Sequence, residues 1–177
     1  MSQFDELVEI MSRLRSPGGC PWDREQTHRT LKPYLIEEAY EVLDAVDRGD
    51  DGDLREELGD VLLQIVFHAQ IASETGRFDI DDVVSAISGK LIRRHPHVFG
   101  DSTVENSDHV VQNWEAIKSD EREEKGRDPS ILDGIPRHLP SLLRARQVQK
   151  RAARVGFEWE HPQEAAEKAR EEVEEFL

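Results

Sequence analysis

Residues 35–72 of this 177-residue chain read LIEEAYEVLDAVDRGDDGDLREELGDVLLQIVFHAQIA, and the fold is organised around them. Apolar residues recur at helical spacing on both sides of an acidic segment that contains glycine, which predicts two helices joined by a turn. The first helix carries one wide apolar stripe. The second, from Val61 to Ala72, is apolar on nearly every side, which is typical of a helix that is covered all round.

Four acidic side chains fall on or beside the inward faces of these helices. At 100° per residue, Glu38 lies within the apolar stripe of the first helix and Glu41 lies at its edge. One narrow line along the second helix carries Glu57, Asp60, Gln64 and His68. Burying several ionised carboxylates together is prohibitive without a counter-charge, and a hard divalent cation with oxygen ligands supplies one. The two pairs therefore predict a Mg²⁺ or Mn²⁺ site made by Glu38, Glu41, Glu57 and Asp60.

Acidic patterns of the form EExxE are more often solvated helix faces than metal sites. The helical phase argues against a solvated face here, because Glu38 shares its stripe with Leu31 and Val42. We therefore interpret the four acids as a metal site. Glu37 and Glu56 project away from the proposed centre and are not counted among its ligands.

The chain is acidic, with a formal net charge of −15. Such a charge argues against a polymeric nucleic acid partner, because phosphate backbones are bound by basic faces. No apolar run is long enough to span a membrane, and the acidic N-terminus is unlike a signal peptide. The single cysteine, Cys20, excludes an internal disulfide and fits a reducing cytoplasm. Alternating apolar and polar runs are scarce, so we expect an all-α protein.

Residues 79–91 have the spacing of a further helix, which ends in a basic segment, KLIRRHPHVF, at residues 90–99. Positive charge at a helix C-terminus complements the helix dipole and could by itself explain these cations. The segment holds more cations than are needed to complement the dipole. Pro96 stops the helix, so the cations cluster at one place. The cations that we expect to bind a phosphate chain are Lys90, Arg93 and Arg94.

Three more residues have roles that the sequence leaves open. Trp22 is either a core residue under a loop, which we favour, or a platform for a flat ligand. Trp114 is expected in the core, within a helix predicted from Ser107 to about Lys125. Lys118, one turn later, is either a surface cation or one that reaches phosphate.

The chain is predicted to contain one complete module, residues 1–120, and then a linker, residues 121–140, that is rich in charge, glycine and proline. Residues 141–177 resemble the opening of the chain, because Trp159 again precedes an EExxE motif. The second motif consists of Glu171, Glu172 and Glu175. The copy stops before any ExxD partner, so we predict a truncated repeat that cannot supply four carboxylates.

Five short motifs follow one another along residues 1 to about 140: CPWD, EEAYE, ELGD, KLIRRHPHVF and NWEAIK. Each motif is weak alone, but in this order they closely resemble the MazG nucleoside triphosphate pyrophosphohydrolases. The resemblance implies an all-α module with a four-helix-bundle core that dimerisation completes. It also implies Mg²⁺-dependent hydrolysis of nucleoside triphosphates to nucleoside monophosphates and pyrophosphate.

The resemblance assigns metal binding and catalysis to the same four acids, Glu38, Glu41, Glu57 and Asp60. It associates the nucleotide and its phosphates with Lys90, Arg94, Trp114 and Lys118. In the expected mechanism a metal-activated water attacks the α-phosphate, and the proton goes to Glu37, Glu38 or Glu56. The alternative is a catalytically weak module that binds Mg²⁺ and nucleotide or regulates through dimerisation.

We expect a cytoplasmic homodimer that acts on a nucleoside triphosphate and has neither a nucleic acid nor a membrane as partner. The apolar helix over residues 61–72 is expected to form the dimer interface, because one small module cannot cover it all round.

Overall fold

The computed structural model describes residues 2–124 and 130–177, and in that part the chain forms nine helices and no strand. The helices are α1 (Gln3–Arg15), α2 (Pro21–Glu25), α3 (Lys32–Arg48), α4 (Asp51–Ser73), α5 (Ile80–Arg94), α6 (Pro96–Phe99), α7 (Ser107–Glu124), α8 (Ser141–Ala153) and α9 (Pro162–Phe176). The all-α prediction is confirmed. Within the same residues, no helix combines the length and the apolar character needed to cross a membrane. The backbone divides into two compact units, residues 1–103 and 104–177.

Helices α3 and α4 form the hairpin on which the first unit is built. Gly49 ends α3 in a left-handed backbone conformation, φ 68°, which glycine adopts without the steric cost that other residues bear. Asp50 then caps α4, and its carboxylate accepts hydrogen bonds from the backbone N–H groups of Gly52 and Asp53. The two helices therefore leave a tight turn side by side, as the pattern over residues 35–72 predicts.

The core of the first unit lies where α1 and the segment before α3 pack against α4. Its buried members are Met11, Leu31, Val66, Phe67 and Ile71. Helix α5 joins this core through Ile80 in its first turn. Capping boxes at Ser2 and Asp79 begin α1 and α5, so both helices are anchored at the ends that approach the core.

The covering of α4 is less complete than its composition suggests. Its buried residues are Gln64, Val66, Phe67, Ala69, Ile71 and Ala72. Leu58 and Ile65, two helical turns apart and so on one face, are 51% and 40% exposed. The neighbouring helix α3 also leaves Tyr40 and Leu43 about half exposed. The described residues of the first unit therefore do not cover α4 all round, and the dimer that would cover it stays a prediction.

Arg15, the last residue of α1, ties three segments of the first unit together. Its guanidinium forms two hydrogen bonds of 2.7 Å with the carboxylate of Glu74, just after α4. It also donates to the backbone carbonyls of Asp23 and Gln26, in and after α2. The hydrogen bond from Arg15 is the main reason that the pKa of Glu74 is lowered. Arg15 therefore holds α2 and the end of α4 against α1.

We expect Arg15→Met to lower the free energy of unfolding by about 2–3 kcal/mol, because two backbone carbonyls and one carboxylate lose a charged donor. Arg48→Met is the matched control, since Arg48 pairs with Asp53 at 2.8 Å where both side chains are about half exposed. Its expected loss is below about 1 kcal/mol. Urea unfolding of both variants measures the difference. Equal losses of unfolding free energy in the two variants would show that Arg15 does not hold these segments together.

The second unit contains α7, α8 and α9. Glu115 on α7 accepts hydrogen bonds or ion pairs from Lys118 and Arg154, each at 3.0 Å. Arg151 on α8 donates to the backbone carbonyls of Ile131 and Asp133, which holds the segment before α8 against that helix. The division into a module, a linker and a truncated repeat stays a prediction. Helix α7 continues to Glu124, past the predicted start of the linker at residue 121.

One local feature differs from the sequence prediction, and one agrees with it as far as the described residues go. The core assignment of Trp22 is wrong: its side chain is 50% exposed and meets the ring of Tyr34 edge-on, with centroids 5.9 Å apart. The reason is the short helix α2, which Pro21 begins and which carries Trp22 outside the core between α1 and α4. The helix predicted to end near Lys125 reaches Glu124, and Lys125 lies outside the described residues.

Candidate metal centre

The α3–α4 hairpin brings acidic side chains from both helices to one place. Because the helices pack side by side from a tight turn, residues at similar distances from the turn face one another. One carboxylate oxygen from each of Glu38, Glu41 and Glu57 lies within 4.8 Å of the other two. Asp60 lies close enough to raise the pKa of both Glu38 and Glu57, although it is outside that three-residue cluster. The arrangement offers hard oxygen donors, which fit Mg²⁺ or Mn²⁺.

The electrostatics of the cluster are those of crowded acids. Burial is the largest of the effects that raise the pKa of Glu38. Its hydrogen bond with Glu41 and the charge of Asp60 raise the pKa further. Burial also raises the pKa of Glu57 first, and the nearby charges of Glu41, Asp60, Glu56 and Asp53 add to the effect. Each shift disfavours the ionised carboxylate. A divalent cation at this place would instead favour the ionised carboxylates, because it stabilises all the negative charges together.

Gln64 lies two turns after Glu57 on the same line of α4, in the buried part of the helix. Its side chain lies close enough to Glu38 to lower the pKa of that carboxyl, and it alone opposes the upward shift. The other amide atom of Gln64, Oε1, is buried and has no hydrogen-bond partner. The third polar residue on this line of α4 thus lies beside a proposed metal ligand.

The fourth member of the line, His68, belongs to a separate polar network. Its Nδ1 lies 2.8 Å from Nδ1 of His28, and Nε2 of His28 lies 2.7 Å from a guanidinium nitrogen of Arg77. An arginine side chain only donates, so His28 accepts at Nε2 and must carry its proton at Nδ1. His28 therefore donates from Nδ1 to Nδ1 of His68. Burial, and then the proximity of His28, lowers the pKa of His68.

We expect the stability of the protein to fall as the pH is lowered from about 7 to about 5. In this window an unfolded His68 takes up a proton near its ordinary value of 6.5, while the folded residue resists protonation. The unfolded state then binds more protons, so the free energy of unfolding decreases. Urea unfolding at several pH values should show a weaker pH dependence in His68→Gln. His161→Gln, at an exposed position, should behave like the wild type.

The three predicted phosphate-binding cations lie in the last turn and a half of α5. Lys90 and Arg93 are exposed and Arg94 is half-buried. A guanidinium nitrogen of Arg93 lies 3.4 Å from the point where a Cβ on Gly89 would sit, so this side chain folds back over its own helix. The backbone carbonyl of Leu91 accepts a hydrogen bond of 2.6 Å from His95 Nδ1, which fixes the break before α6. Their binding of phosphate stays a prediction.

Trp114 and Lys118 both lie on α7 in the second unit. Trp114 is half-buried, and Lys118 donates to Glu115 at 3.0 Å. Their proposed contacts with a nucleotide stay a prediction.

The second EExxE lies on α9, where Lys168 pairs with Glu171 at 2.6 Å and with Glu172 at 3.4 Å. Among the described residues, the carboxylate cluster with metal-binding geometry is the one on α3 and α4.

Sequence reasoning missed two sets of contacts. The pairing of His28 with His68 joins residues 40 positions apart, and no local pattern shows that they meet. The bond between Arg15 and Glu74 spans 59 positions. The helical phase of His68 was a partial signal, because it placed a histidine on a line of otherwise acidic and amide side chains.

Comparison with known proteins agrees with the geometry. Residues 26–99 match the MazG nucleotide pyrophosphohydrolase domain. The nucleoside triphosphate pyrophosphohydrolase of Escherichia coli (strain K12) is 56% identical over the whole of this chain, which covers 67% of that relative. The nucleoside triphosphate pyrophosphohydrolase/pyrophosphatase MazG of Thermotoga maritima is 53% identical over 98% of this chain and 66% of its own length.

A solved structure supports the same assignment. The crystal structure of a mazG-related protein from Thermotoga maritima superimposes with a TM-score of 0.55 and 29% sequence identity. The match covers 64% of this chain and 97% of the other. This chain spans about two thirds of the length of the two curated relatives described above. It belongs to the MazG nucleotide pyrophosphohydrolase family.

Proposed function

We propose that this chain hydrolyses nucleoside triphosphates to nucleoside monophosphates and pyrophosphate, with Mg²⁺ or Mn²⁺ as cofactor. The observation that carries the proposal is the cluster of Glu38, Glu41 and Glu57, whose oxygens converge within 4.8 Å. The cluster lies inside residues 26–99, which match the family. The substrate class is supported by the two relatives that are named nucleoside triphosphate pyrophosphohydrolases.

The residues that would hold the cation are Glu38, Glu41, Glu57 and Asp60. When bound, a divalent cation polarises phosphate oxygens and lowers the pKa of water. The water oxygen would then form a bond to the α-phosphorus, and the bond from that phosphorus to the oxygen of the leaving pyrophosphate would break. The proton of the water would pass to a carboxylate of α3 or α4, with Glu37, Glu38 and Glu56 as the candidates.

The basic end of α5 would stabilise the charge that develops on the leaving pyrophosphate. The cations in question are Lys90, Arg93 and Arg94. On α7, Trp114 and Lys118 are proposed to contact the nucleotide. A homodimer is part of the proposal, because Leu58 and Ile65 mark an apolar face of α4 that the first unit leaves uncovered.

The test is product analysis in water enriched in ¹⁸O, with Mg²⁺ and a panel of ribonucleoside and deoxyribonucleoside triphosphates. Attack at the α-phosphorus puts the label into the nucleoside monophosphate and leaves the pyrophosphate unlabelled. Label in the pyrophosphate would overturn the proposed point of attack. Binding of nucleotide and Mg²⁺ without pyrophosphate release from any substrate would overturn the hydrolase and favour a binding or regulatory module.

A further inference from the structure

We infer that Gln64 is a positioning residue of the metal centre: its amide nitrogen holds the carboxylate of Glu38, and its amide oxygen accepts a hydrogen bond from a water held among the carboxylates. The inference rests on the proposed function, because it concerns the same centre. It adds a residue that is not an acid and that would act through Glu38 and the water rather than on the substrate.

The first observation is the burial of Gln64. Its residue surface is 6% exposed, and it is the one buried polar residue among positions 2–124 and 130–177 with an assigned burial. Its neighbours in the buried part of α4 are apolar, among them Val66 and Phe67. A glutamine in such a place needs partners for both halves of its amide, since the protein interior offers no bulk water.

The second observation is the place of Gln64 beside Glu38. Glu57, Asp60 and Gln64 follow one another on a single face of α4, leading away from the hairpin turn. Glu41 and Glu38 lead away from the same turn along α3, so Glu38 comes level with the far end of that face, where Gln64 is close enough to lower its pKa. An ionised carboxylate only accepts hydrogen bonds, so the amide nitrogen must be the atom that faces it.

The third observation is the unpartnered oxygen. Oε1 of Gln64 is buried and receives no hydrogen bond. It belongs to a residue on the same face of α4 as Glu57 and Asp60, two of the proposed ligands. A glutamine with a purely structural role would have both halves satisfied by the fold. A buried amide beside a proposed metal ligand, with its oxygen unpartnered, is the pattern of a residue that orients ligands and water.

The experiment measures Mn²⁺ binding to the full chain by electron paramagnetic resonance, without nucleotide, together with the thermal midpoint of the metal-free protein. Gln64→Leu removes both hydrogen-bonding atoms. Gln70→Leu is the matched control, because Gln70 also lies on α4 and donates to a carboxylate outside the centre, Glu74, at 3.2 Å. Gln64→Met, which is unbranched like glutamine, serves if the leucine variant fails to fold.

We expect Gln64→Leu or Gln64→Met to weaken Mn²⁺ binding by about 10–100-fold, while Gln70→Leu keeps the wild-type affinity. The metal-free Gln64 variant should unfold at the wild-type temperature or above it, since it loses an unsatisfied buried oxygen. Wild-type affinity with a lowered thermal midpoint would overturn the inference and leave the metal centre standing. A wild-type protein that binds no Mn²⁺ would overturn the centre and the inference together.

Discussion

Glu41→Gln is expected to lose turnover by a factor of about 100 or more, because one charged ligand of the proposed cation becomes a neutral amide. Glu41 is exposed, and its carboxylate oxygen lies within 4.8 Å of those of Glu38 and Glu57. The substitution keeps the size of the side chain and touches no core residue. The helical content of the metal-free protein should therefore stay at its wild-type value. Its thermal midpoint should stay there or rise, because the repulsion between Glu41 and Glu57 is removed.

Two measurements check this prediction. Pyrophosphate release gives the turnover, and Mn²⁺ titration gives the affinity, which should fall together with the turnover. Asp44→Asn is the control, because Asp44 is an exposed acid one turn further along α3 that lies outside the cluster. A Glu41→Gln enzyme that releases pyrophosphate at the wild-type rate would remove Glu41 from the catalytic centre.

The sequence predicts elements of this fold well where the determining signal is local. Helix α1 covers residues 3–15 as its apolar spacing indicates, and the α3–α4 turn falls at Gly49 and Asp50. Helix α5 ends just before the His95-Pro96 pair, because proline cannot continue the hydrogen-bond ladder. These features depend on residues close together in the chain.

The candidate site is predictable to the extent that helical phase determines it. Phase alone places Glu38 and Glu41 on one side of α3 and lines up Glu57, Asp60 and Gln64 on α4. It does not show which residues of α3 lie opposite which residues of α4, because that depends on how the two helices pack. The contact between Gln64 and Glu38, and the place of Asp60 just outside the three-residue cluster, are therefore visible in the structure alone.

Periodicity also does not predict contacts between distant segments, because these depend on how the segments pack. Trp22 has a large, mostly apolar side chain of the kind found in cores. The core between α1 and α4 is nevertheless filled by Met11 and Phe67, and Trp22 lies outside it. His28 meets His68 because the segment before α3 packs on α4. In each case the outcome depends on which groups fill the shared space, and this is a property of the whole unit.

Lys90→Ala is expected to lower kcat/KM for a nucleoside triphosphate by about 10–100-fold, because a cation that stabilises the leaving pyrophosphate is lost. The competing explanation is that Lys90 only complements the C-terminal dipole of α5. That role is worth about 0.3–1 kcal/mol of stability and leaves catalysis unchanged. Lys90 is exposed on α5, one turn before Arg94, so its removal should not disturb the core.

Product inhibition separates these two roles of Lys90. If its ammonium group contacts the pyrophosphate, Lys90→Ala should weaken inhibition by pyrophosphate and leave inhibition by the nucleoside monophosphate at the wild-type level. Arg48→Ala is the control for the loss of a surface cation, since Arg48 pairs with Asp53 at the hairpin turn. An unchanged kcat/KM together with a slightly lower thermal midpoint would assign Lys90 to the helix end alone. A partial loss of kcat/KM in Lys90→Ala that Lys90→Arg restores would instead show that the positive charge at this position acts on the substrate. Complementing the helix dipole would not by itself change kcat/KM, whichever cation stands there.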